Sequence, residues 1–377
     1  MSKIKLAAVA AAGLEAVVKR ELQDLGYKPK VDNGWVYFDC EVKDIPIVNI
    51  NLRSSDRVML ILGQFDAYNF EELFGKTYNL PWEEWITKKG KFTVNGRSIK
   101  SKLYSVPDCQ SIVKKAVVEK LKDKYDVEWF EEEGAEFTIQ LIIRKDKVTL
   151  SIDTTGAREG LFKRGYRKNS VESPIKETMA AALIQLSFWR EDRLLMDPMC
   201  GSGTIPIEAA LIGINKAPGL ERSFASENWP AVPKEHWSSA RKDAHSKIEV
   251  DKELKILASD IDPKAVKIAE ENAKKAGVAK YIEFMVKDIK KIKLPEKYGI
   301  LITNPPYGER IGEDEEVKEI LKTIGEIFGK DETWSNYIIS PERNFENLYG
   351  EKASRKRKLY NGNIRVDYYQ YYGKKKN

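Results

Sequence analysis

The sequence predicts an α/β protein in which a Rossmann-like, doubly wound sheet with a terminal antiparallel strand pair follows an α+β region. Two observations support this fold class. From Leu194 onward, short apolar strands alternate with helical segments, which is typical of a parallel sheet covered by helices on both faces. Before Asp153, short strands and modest helices alternate without that repeat, which is typical of small α+β units.

The first 153 residues contain five predicted strands and three predicted helices. The helix at 13–25 ends at a glycine, the helix at 109–124 is amphipathic, and the last two strands alternate like a hairpin that turns at Lys145-Asp146. The predicted strands are 4–10, 35–38, 58–65, 137–144 and 147–153, and the predicted helices are 13–25, 47–53 and 109–124.

The second half is predicted to hold the parallel sheet. Its predicted strands are 194–196, 255–259, 282–286 and 300–303, its clearest helices are 204–211 and 263–275, and its terminal strand pair is 337–339 with 364–372. Between the members of that pair lies the basic run 352–358, for which we predict a solvated loop, with an RNA contact as the alternative. A long segment, 204–259, separates the first two strand ends, and its tryptophans either clamp nucleotides or pack against one another.

Composition excludes several classes of protein. Three widely spaced cysteines and two histidines do not support a disulfide scaffold, a metal site or a Ser-His-Asp hydrolase. A net charge of +6 is compatible with a nucleic-acid partner. The apolar residues 6–12 resemble a signal peptide, but an amphipathic helix follows at once, and no apolar run reaches the roughly 20 residues of a membrane span. We therefore expect a cytoplasmic protein.

A glycine-rich turn after the first strand of the second half is the first candidate site. Gly201 and Gly203 allow a ligand to approach the backbone at a helix N-terminus, and the turn matches neither a phosphate loop nor G-x-G-x-x-G. Asp197 at the strand end disfavours a pyrophosphate but suits a ligand with an ammonium and a sulfonium. The candidate residues of this turn are Asp197, Pro198, Met199, Cys200, Gly201, Ser202, Gly203 and Thr204.

Carboxylates follow the next two strands. Asp260 is predicted to bind both hydroxyls of a ribose, with Ile261 beside it, whereas Asp262 before Pro263 is predicted to cap a helix. Asp288 is predicted to accept a hydrogen bond from an adenine amine. Since ligands bind at the carboxyl ends of parallel strands, these residues together predict one nucleoside-cofactor site.

The motif Asn304-Pro305-Pro306-Tyr307 follows the apolar strand 300–303 and is the candidate catalytic site. Asn304 Oδ1 and the Pro305 carbonyl can accept the two hydrogens of a planar exocyclic amine, and the Tyr307 ring can stack on its base. Proline makes the turn rigid and removes competing N–H donors. The motif therefore predicts a site in which an amine nitrogen attacks an electrophile.

These residues carry a resemblance to a known family. Residues 160–377 resemble class I S-adenosylmethionine-dependent methyltransferases that methylate amino groups, and the whole chain resembles the THUMP-domain guanine-N2 RNA methyltransferases. The segments that carry the resemblance are 13–15, 162–167, 174–178, 197–204, 304–308 and 361–365.

The resemblance implies a domain organisation and further site residues. It implies a ferredoxin-like region at 1–60, a THUMP RNA-binding domain at 61–155 and a methyltransferase domain at 156–377, whose strands we expect to form a complete core. It also implies that Phe162, Pro174 and Glu177 help to close the cofactor pocket.

The expected reaction is transfer of a methyl group from S-adenosylmethionine to guanosine N2 in a structured RNA, in rRNA or alternatively tRNA, without a metal ion. The alternatives are methylation of a protein glutamine or of adenine N6, which also use Asn-Pro-Pro-Tyr, and a non-catalytic RNA-binding scaffold. The oligomeric state is left open.

Overall fold

The computed structural model describes residues 3–156, 160–167, 174–307 and 313–375. The chain divides into two compact units. The N-terminal unit comprises Met1–Ala10, Val18–Leu161 and Arg222–Asp243, and the C-terminal unit comprises Ala11–Val17, Phe162–Glu221 and Ala244–Asn377. No helix in the described part of the chain is long and apolar enough to cross a membrane.

Strands of the described residues form two seven-stranded sheets. The first contains β1 (Lys3–Ala10), β2 (Lys30–Asp32), β3 (Trp35–Glu41), β4 (Ser55–Asp66), β5 (Lys91–Ile99), β6 (Glu136–Arg144) and β7 (Lys147–Asp153). The second contains β8 (Leu195–Asp197), β9 (Ile256–Asp260), β10 (Ile282–Val286), β11 (Ile300–Thr303), β12 (Ser335–Ser340), β13 (Arg355–Asn361) and β14 (Ile364–Tyr371).

Ten α-helices accompany these strands in the described residues. They are α1 (Glu15–Asp24), α2 (Asp44–Asn51), α3 (Phe70–Tyr78), α4 (Val106–Tyr125), α5 (Glu177–Gln185), α6 (Thr204–Gly213), α7 (Lys234–Ser246), α8 (Pro263–Ala276), α9 (Glu313–Phe328) and α10 (Phe345–Tyr349).

The N-terminal unit is built on a sheet of order β2-β3-β1-β4-β7-β6-β5. Every neighbouring pair is antiparallel except β5 and β6, which are parallel. The predicted hairpin is confirmed: β6 and β7 pair, and both turn residues, Lys145 and Asp146, have positive φ. Positive φ at both turn positions matches the right-handed twist of the flanking strands. The prediction missed β2, β5 and α3.

The insertion 222–243 belongs to the N-terminal unit, and its aromatic rings are buried. Trp229 is 1% exposed, stacks on Phe137 at 5.0 Å between ring centroids, and donates its indole N–H to the Glu136 carbonyl at 3.2 Å. Trp237 stacks on Phe224 at 5.2 Å. The insertion therefore packs its own tryptophans, and the alternative in which those rings clamp nucleotides is wrong.

The C-terminal unit is a doubly wound sheet of order β10-β9-β8-β11-β12-β14-β13. The first five strands in this order, from β10 to β12, are parallel to one another. β14 is antiparallel to both of its neighbours, so the predicted terminal pair is present. Two separate cores cover the two faces. The order reverses between β8 and β11, and this reversal is the point at which such sheets bind ligands.

Residues 355–361 correct one prediction. The basic run was predicted as a solvated loop, but Arg355–Asn361 pairs along its whole length with β14 as the edge strand of the sheet. Lysine and arginine side chains on an edge strand also oppose pairing with another chain. Backbone pairing therefore overrides the polar composition of this segment.

The segment Ala11–Val17 is part of the C-terminal unit. Leu14 and Val17 are buried in the same core as Leu359 of β13. Gly13 has φ +89°, and a Cβ atom there would lie 2.8 Å from the Lys358 carbonyl oxygen, so only glycine fits. The expectation that residues 156–377 hold a complete core is therefore wrong, and a cut at that boundary would remove two buried side chains from it.

Candidate active site at the carboxyl edge of the second sheet

A cavity of about 860 Å³ lies at the carboxyl ends of β8, β9, β10 and β11. Its volume is within the roughly 300–1,000 Å³ of small-molecule sites. It is lined by Pro174, Ile175, Asp197, Pro198, Met199, Cys200, Gly201, Ser202, Thr204, Ile205, Asp260, Ile261, Asp288, Ile289, Lys290, Asn304, Pro305, Pro306, Tyr307, Glu316, Glu319 and Ile320. The structure thus brings together every residue proposed for the site except Phe162, Glu177 and Gly203. Gly308, which also carried the resemblance, lies outside the described residues.

The turn from β8 to α6 depends on two glycines. Gly201 and Gly203 have φ of +51° and +81°, in the left-handed region that favours glycine. A Cβ atom at Gly203 would lie 2.9 Å from the Ala269 Cβ of α8, so this glycine permits close helix packing rather than lining the cavity. Asn272 of α8 supports the turn by donating its side-chain N–H to the Ser202 carbonyl at 3.1 Å.

Asp197 is a buried carboxyl group at the end of β8. Its Oδ1 accepts hydrogen bonds from the Thr303 hydroxyl at 2.8 Å and from the Met199 N–H at 3.3 Å. Burial raises the pKa of Asp197 to about 7, and the hydrogen bond from Thr303 opposes that rise. A buried carboxylate lining a cavity is stabilised by a cationic ligand, because the ligand's charge offsets the cost of desolvation.

Asp260 is already held by the backbone. Its Oδ2 accepts the Gly201 N–H at 2.9 Å and its Oδ1 accepts the Asp262 N–H at 3.0 Å. A carboxylate offers about four lone-pair positions, so two acceptor positions remain for a diol. Asp262 caps α8 through the Lys264 N–H at 2.8 Å, as predicted.

Asp288 lines the cavity and also accepts the Lys290 N–H at 2.9 Å. Lys290, the one lysine or arginine among the lining residues that the structure describes, is paired with Glu319 at 2.8 Å. The lining therefore presents mainly acceptors. This charge pattern suits a cationic nucleoside ligand and disfavours a phosphorylated one.

The Asn304–Tyr307 motif follows β11 directly. Asn304 is half-buried, and its Oδ1 accepts the Tyr307 hydroxyl at 2.6 Å. Burial raises the pKa of Tyr307 to about 12, which keeps the hydroxyl a donor, while the nearby Asn361 side chain opposes that rise. The amide oxygen keeps one further lone pair, so Tyr307 fixes the orientation of the Asn304 side chain without saturating it.

Phe162 and Glu177 do not line the cavity, although Pro174 does. Glu177 is buried and forms an ion pair with Arg167 at 3.4 Å. Phe162 lies beneath the Lys176 ammonium, with 4.7 Å from Nζ to the ring centroid. Phe162 and Glu177 therefore do not form part of the cavity wall in this structure.

Sequence reasoning missed the role of Arg167. Its Nη2 donates to the Ile175 carbonyl at 2.7 Å and to the Thr204 hydroxyl at 2.8 Å, and both of those residues line the cavity. Arg167 thus connects the segment before α5 to the first turn of α6, and both form part of the cavity wall. Its place in the motif 162–167 was the available signal, but the sequence alone did not identify these partners.

Family models match nearly the whole chain. A model described as "RlmL ferredoxin-like domain" matches residues 5–59, one described as "THUMP domain" matches residues 67–153, and one described as "RMKL-like, methyltransferase domain" matches residues 164–370.

Two curated relatives differ in length. "Putative RNA methyltransferase YpsC" of Bacillus subtilis is 48% identical over 376 residues, which cover 99% of this chain and 97% of that protein. "Ribosomal RNA large subunit methyltransferase K/L" of Psychromonas ingrahamii is 32% identical over 364 residues, which cover 94% of this chain but 48% of that protein. This chain therefore spans about half the length of the K/L proteins it matches.

A solved structure shares the fold of this chain. The crystal structure of SMU.472 complexed with SAH is 43% identical, covers 100% of both chains and has a TM-score of 0.94. The predicted fold class is confirmed, since this is the fold of S-adenosylmethionine-dependent methyltransferases. On the match to residues 164–370, more than half of its length, the chain belongs to the RMKL-like methyltransferase family and carries a ferredoxin-like and a THUMP domain before its catalytic domain.

Proposed function

We propose that this protein transfers a methyl group from S-adenosylmethionine to the exocyclic N2 of a guanosine in a structured RNA, with rRNA as the first candidate and tRNA as the second. The observation that carries the proposal is the meeting of Asp197, Asp260 and Asn304 on one cavity. The THUMP match and the names of the two curated relatives support an RNA substrate.

The cofactor roles follow from the acceptors around the cavity. S-adenosylmethionine, when bound, supplies an electrophilic methyl group on a sulfonium. Asp197 binds the cationic amino acid end, Asp260 accepts from the ribose hydroxyls with its two remaining acceptor positions, and Asp288 accepts from the adenine amine. Ile261, which is 67% exposed without a ligand, covers the adenine ring. The three carboxylates are anchored by backbone or side-chain hydrogen bonds, so little reorganisation of these groups accompanies binding.

Positioning is the main catalytic device in this proposal. The second lone pair of Asn304 Oδ1 and the Pro305 carbonyl accept the two amine hydrogens, and the Tyr307 ring stacks on the base. These contacts direct the nitrogen lone pair into the cavity. No strong general base is required, because the amine becomes acidic as the C–N bond forms and its proton can pass to water. Holding such a geometry accounts for much of the rate enhancement in comparable reactions.

Recognition of RNA is assigned to the first part of the chain. We propose a ferredoxin-like region at 1–60 and a THUMP domain at 61–155 that bind the RNA, and a methyltransferase domain at 156–377. Residues 11–17 belong to the C-terminal compact unit, and residues 222–243 belong to the N-terminal one. The target base would leave its stack to reach the cavity, at a cost of a few kcal/mol. We place the protein in the cytoplasm, where such RNA is found.

Nucleoside mass spectrometry of rRNA and tRNA tests the function. RNA from cells that lack this protein should lose one N2-methylguanosine, and the purified protein should restore it. Loss of an N6-methyladenosine instead would show that the protein methylates adenine N6. If calorimetry detects no binding of S-adenosylmethionine, the protein is a scaffold and the enzymatic proposal is wrong.

Replacing Asp260 tests the ribose contact. We expect Asp260→Asn to weaken S-adenosylmethionine binding by about 1.5–3 kcal/mol, the range for hydrogen bonds to a charged group. The variant keeps one acceptor for the backbone of the glycine-rich turn, so the turn should persist. Calorimetry gives the dissociation constant, and Asp262→Asn is the matched control. An unchanged constant for the Asp260 variant together with a raised one for the control would transfer the ribose role to Asp262.

A further inference from the structure

The β13–β14 hairpin carries a concentration of positive charge that the proposed catalytic mechanism does not use. Residues 355–367 contain five basic side chains and one acidic side chain. β13 lies at the edge of the sheet, and Arg355, Lys356 and Lys358 are exposed. An RNA backbone is the partner whose charge complements such a strand.

The pairing register separates the hairpin into two faces. Side chains alternate along β13, so Leu359 points into the core while Lys358 and Tyr360 point to the other face. Tyr360 lies opposite Arg365 across the pair, and the Lys358 ammonium lies 5.5 Å from the centre of the Tyr360 ring. Tyr360 is 38% exposed. An exposed ring between two cations combines the two contacts that single-stranded RNA uses, stacking and phosphate pairing.

The tip of the hairpin lies next to the catalytic motif. Ser340 at the end of β12 pairs with Asp367, so Ile364 and Asn361 extend beyond that strand at the carboxyl edge of the sheet. Asn304–Tyr307 leaves β11 at the same edge, and the Asn361 side chain is close enough to the Tyr307 hydroxyl to lower its pKa. The tip of the hairpin therefore adjoins the wall of the cavity that would receive the target base, with Asn361 on the Leu359 face and the basic side chains on the other face.

We propose that the β13–β14 hairpin holds the RNA strand beside the target nucleotide, with Lys358 and Arg365 on phosphates and Tyr360 stacked on a neighbouring base. This inference rests on the proposed RNA substrate. Lys356 is left out because it is paired with Glu346 at 2.9 Å. Arg365 lies 3.7 Å from Asp367 and is 54% exposed, so it keeps donors for a phosphate.

The test uses the full-length protein and an RNA that it methylates. We expect the double variant Lys358→Gln/Arg365→Gln to raise KM for RNA on the order of 10- to 100-fold and to reduce the log–log salt slope of binding by about 1.4, for two lost phosphate contacts. Tyr360→Leu should raise KM about 5- to 150-fold without changing the salt slope, because stacking is uncharged. The turnover number at saturating RNA and the affinity for S-adenosylmethionine should be unchanged in both.

A matched control removes two lysines elsewhere. Lys274 and Lys275 are exposed in the last turn of α8, which begins at the carboxyl edge and so ends away from it. If the double variant has the same KM and salt slope as Lys274→Gln/Lys275→Gln while the wild type methylates RNA, the hairpin inference is wrong and the proposed function stands. If the wild type methylates no RNA, the proposed function itself fails. Loss of activity on ribonucleoprotein particles but not on naked RNA would assign the hairpin to a protein partner and overturn the inference.

Discussion

Replacing Asn304 by alanine should lower the rate of methyl transfer by about 10²–10³-fold, by analogy with removing one oriented hydrogen-bonding group from an oxyanion hole. The variant removes the acceptor whose second lone pair is directed to the amine, and it leaves the strand β11 and the backbone carbonyl of Pro305 in place. S-adenosylmethionine should bind nearly as before, because its proposed contacts lie on Asp197, Asp260 and Asp288. Single-turnover methylation with saturating RNA measures the effect.

Tyr307→Phe is the matched control for this prediction. It removes the hydroxyl that donates to Asn304 Oδ1 at 2.6 Å but keeps the ring that would stack on the base. The loss of one neutral hydrogen bond corresponds to about 1 kcal/mol, or roughly fivefold in rate. A rate for Asn304→Ala within a few-fold of this control would show that the amide is not the acceptor in the transition state, and the catalytic assignment would be withdrawn.

Much of the second sheet could be predicted because its signals are local. The strand ending at Asp260 is apolar, Asp262 and Pro263 are favourable cap and first-turn residues, and Gly277 ends α8 with φ +72°. These features act within a few residues of one another, so the predicted boundaries in this sheet differ from the observed ones by at most two residues. The carboxyl-edge rule then placed the side chains together without knowledge of any contact.

Elements whose structure depends on distant partners could not be predicted in this way. β13 begins with four consecutive basic residues rather than apolar ones, and its conformation is set by seven residue pairs with β14. The insertion 222–243 gave only aromatic residues as a signal, and their burial follows from rings such as Phe137, far away in sequence. Composition described these segments correctly as basic or aromatic but did not determine what they pack against.

The same distinction holds within the cavity. Most of the residues predicted for the cavity follow a strand. Glu316, Glu319 and Ile320 instead come from α9, where an amphipathic helix gives no indication that one turn faces a ligand. Arg167 acts through the Ile175 carbonyl and the Thr204 hydroxyl, partners 8 and 37 residues away. A single sequence does not reveal such long-range contacts, so these parts of the cavity wall could be identified only from the folded structure.

Replacing Asp197 by asparagine should weaken S-adenosylmethionine binding by about 2–4 kcal/mol, the scale for losing one partner of a buried, hydrogen-bonded charge pair. The shape of the side chain and its acceptor for the Thr303 hydroxyl are retained, so the loss reports the charge. Titration calorimetry at about pH 7.5 gives the two dissociation constants. Equal affinities would show that the cationic end of the cofactor binds elsewhere in the cavity.

The raised pKa of Asp197 makes the same assignment testable by pH. Because burial raises this pKa to about 7, the carboxyl group must release a proton before it can bind the cationic cofactor when the pH is lower. The affinity of the wild type should therefore fall by up to about tenfold per pH unit below about pH 7, while the Asp197→Asn variant should show no such fall.

The stability of the ligand-free protein should change in the opposite direction, decreasing as the pH rises. A carboxyl group whose pKa is higher in the folded than in the unfolded state destabilises the fold as pH rises from about 4 to about 7, so above that range the cofactor-free variant should melt at a higher temperature than the wild type. A wild-type affinity that is flat between about pH 6 and pH 7 would contradict the assignment of Asp197 to the cofactor's charge, since binding would not then require its ionisation.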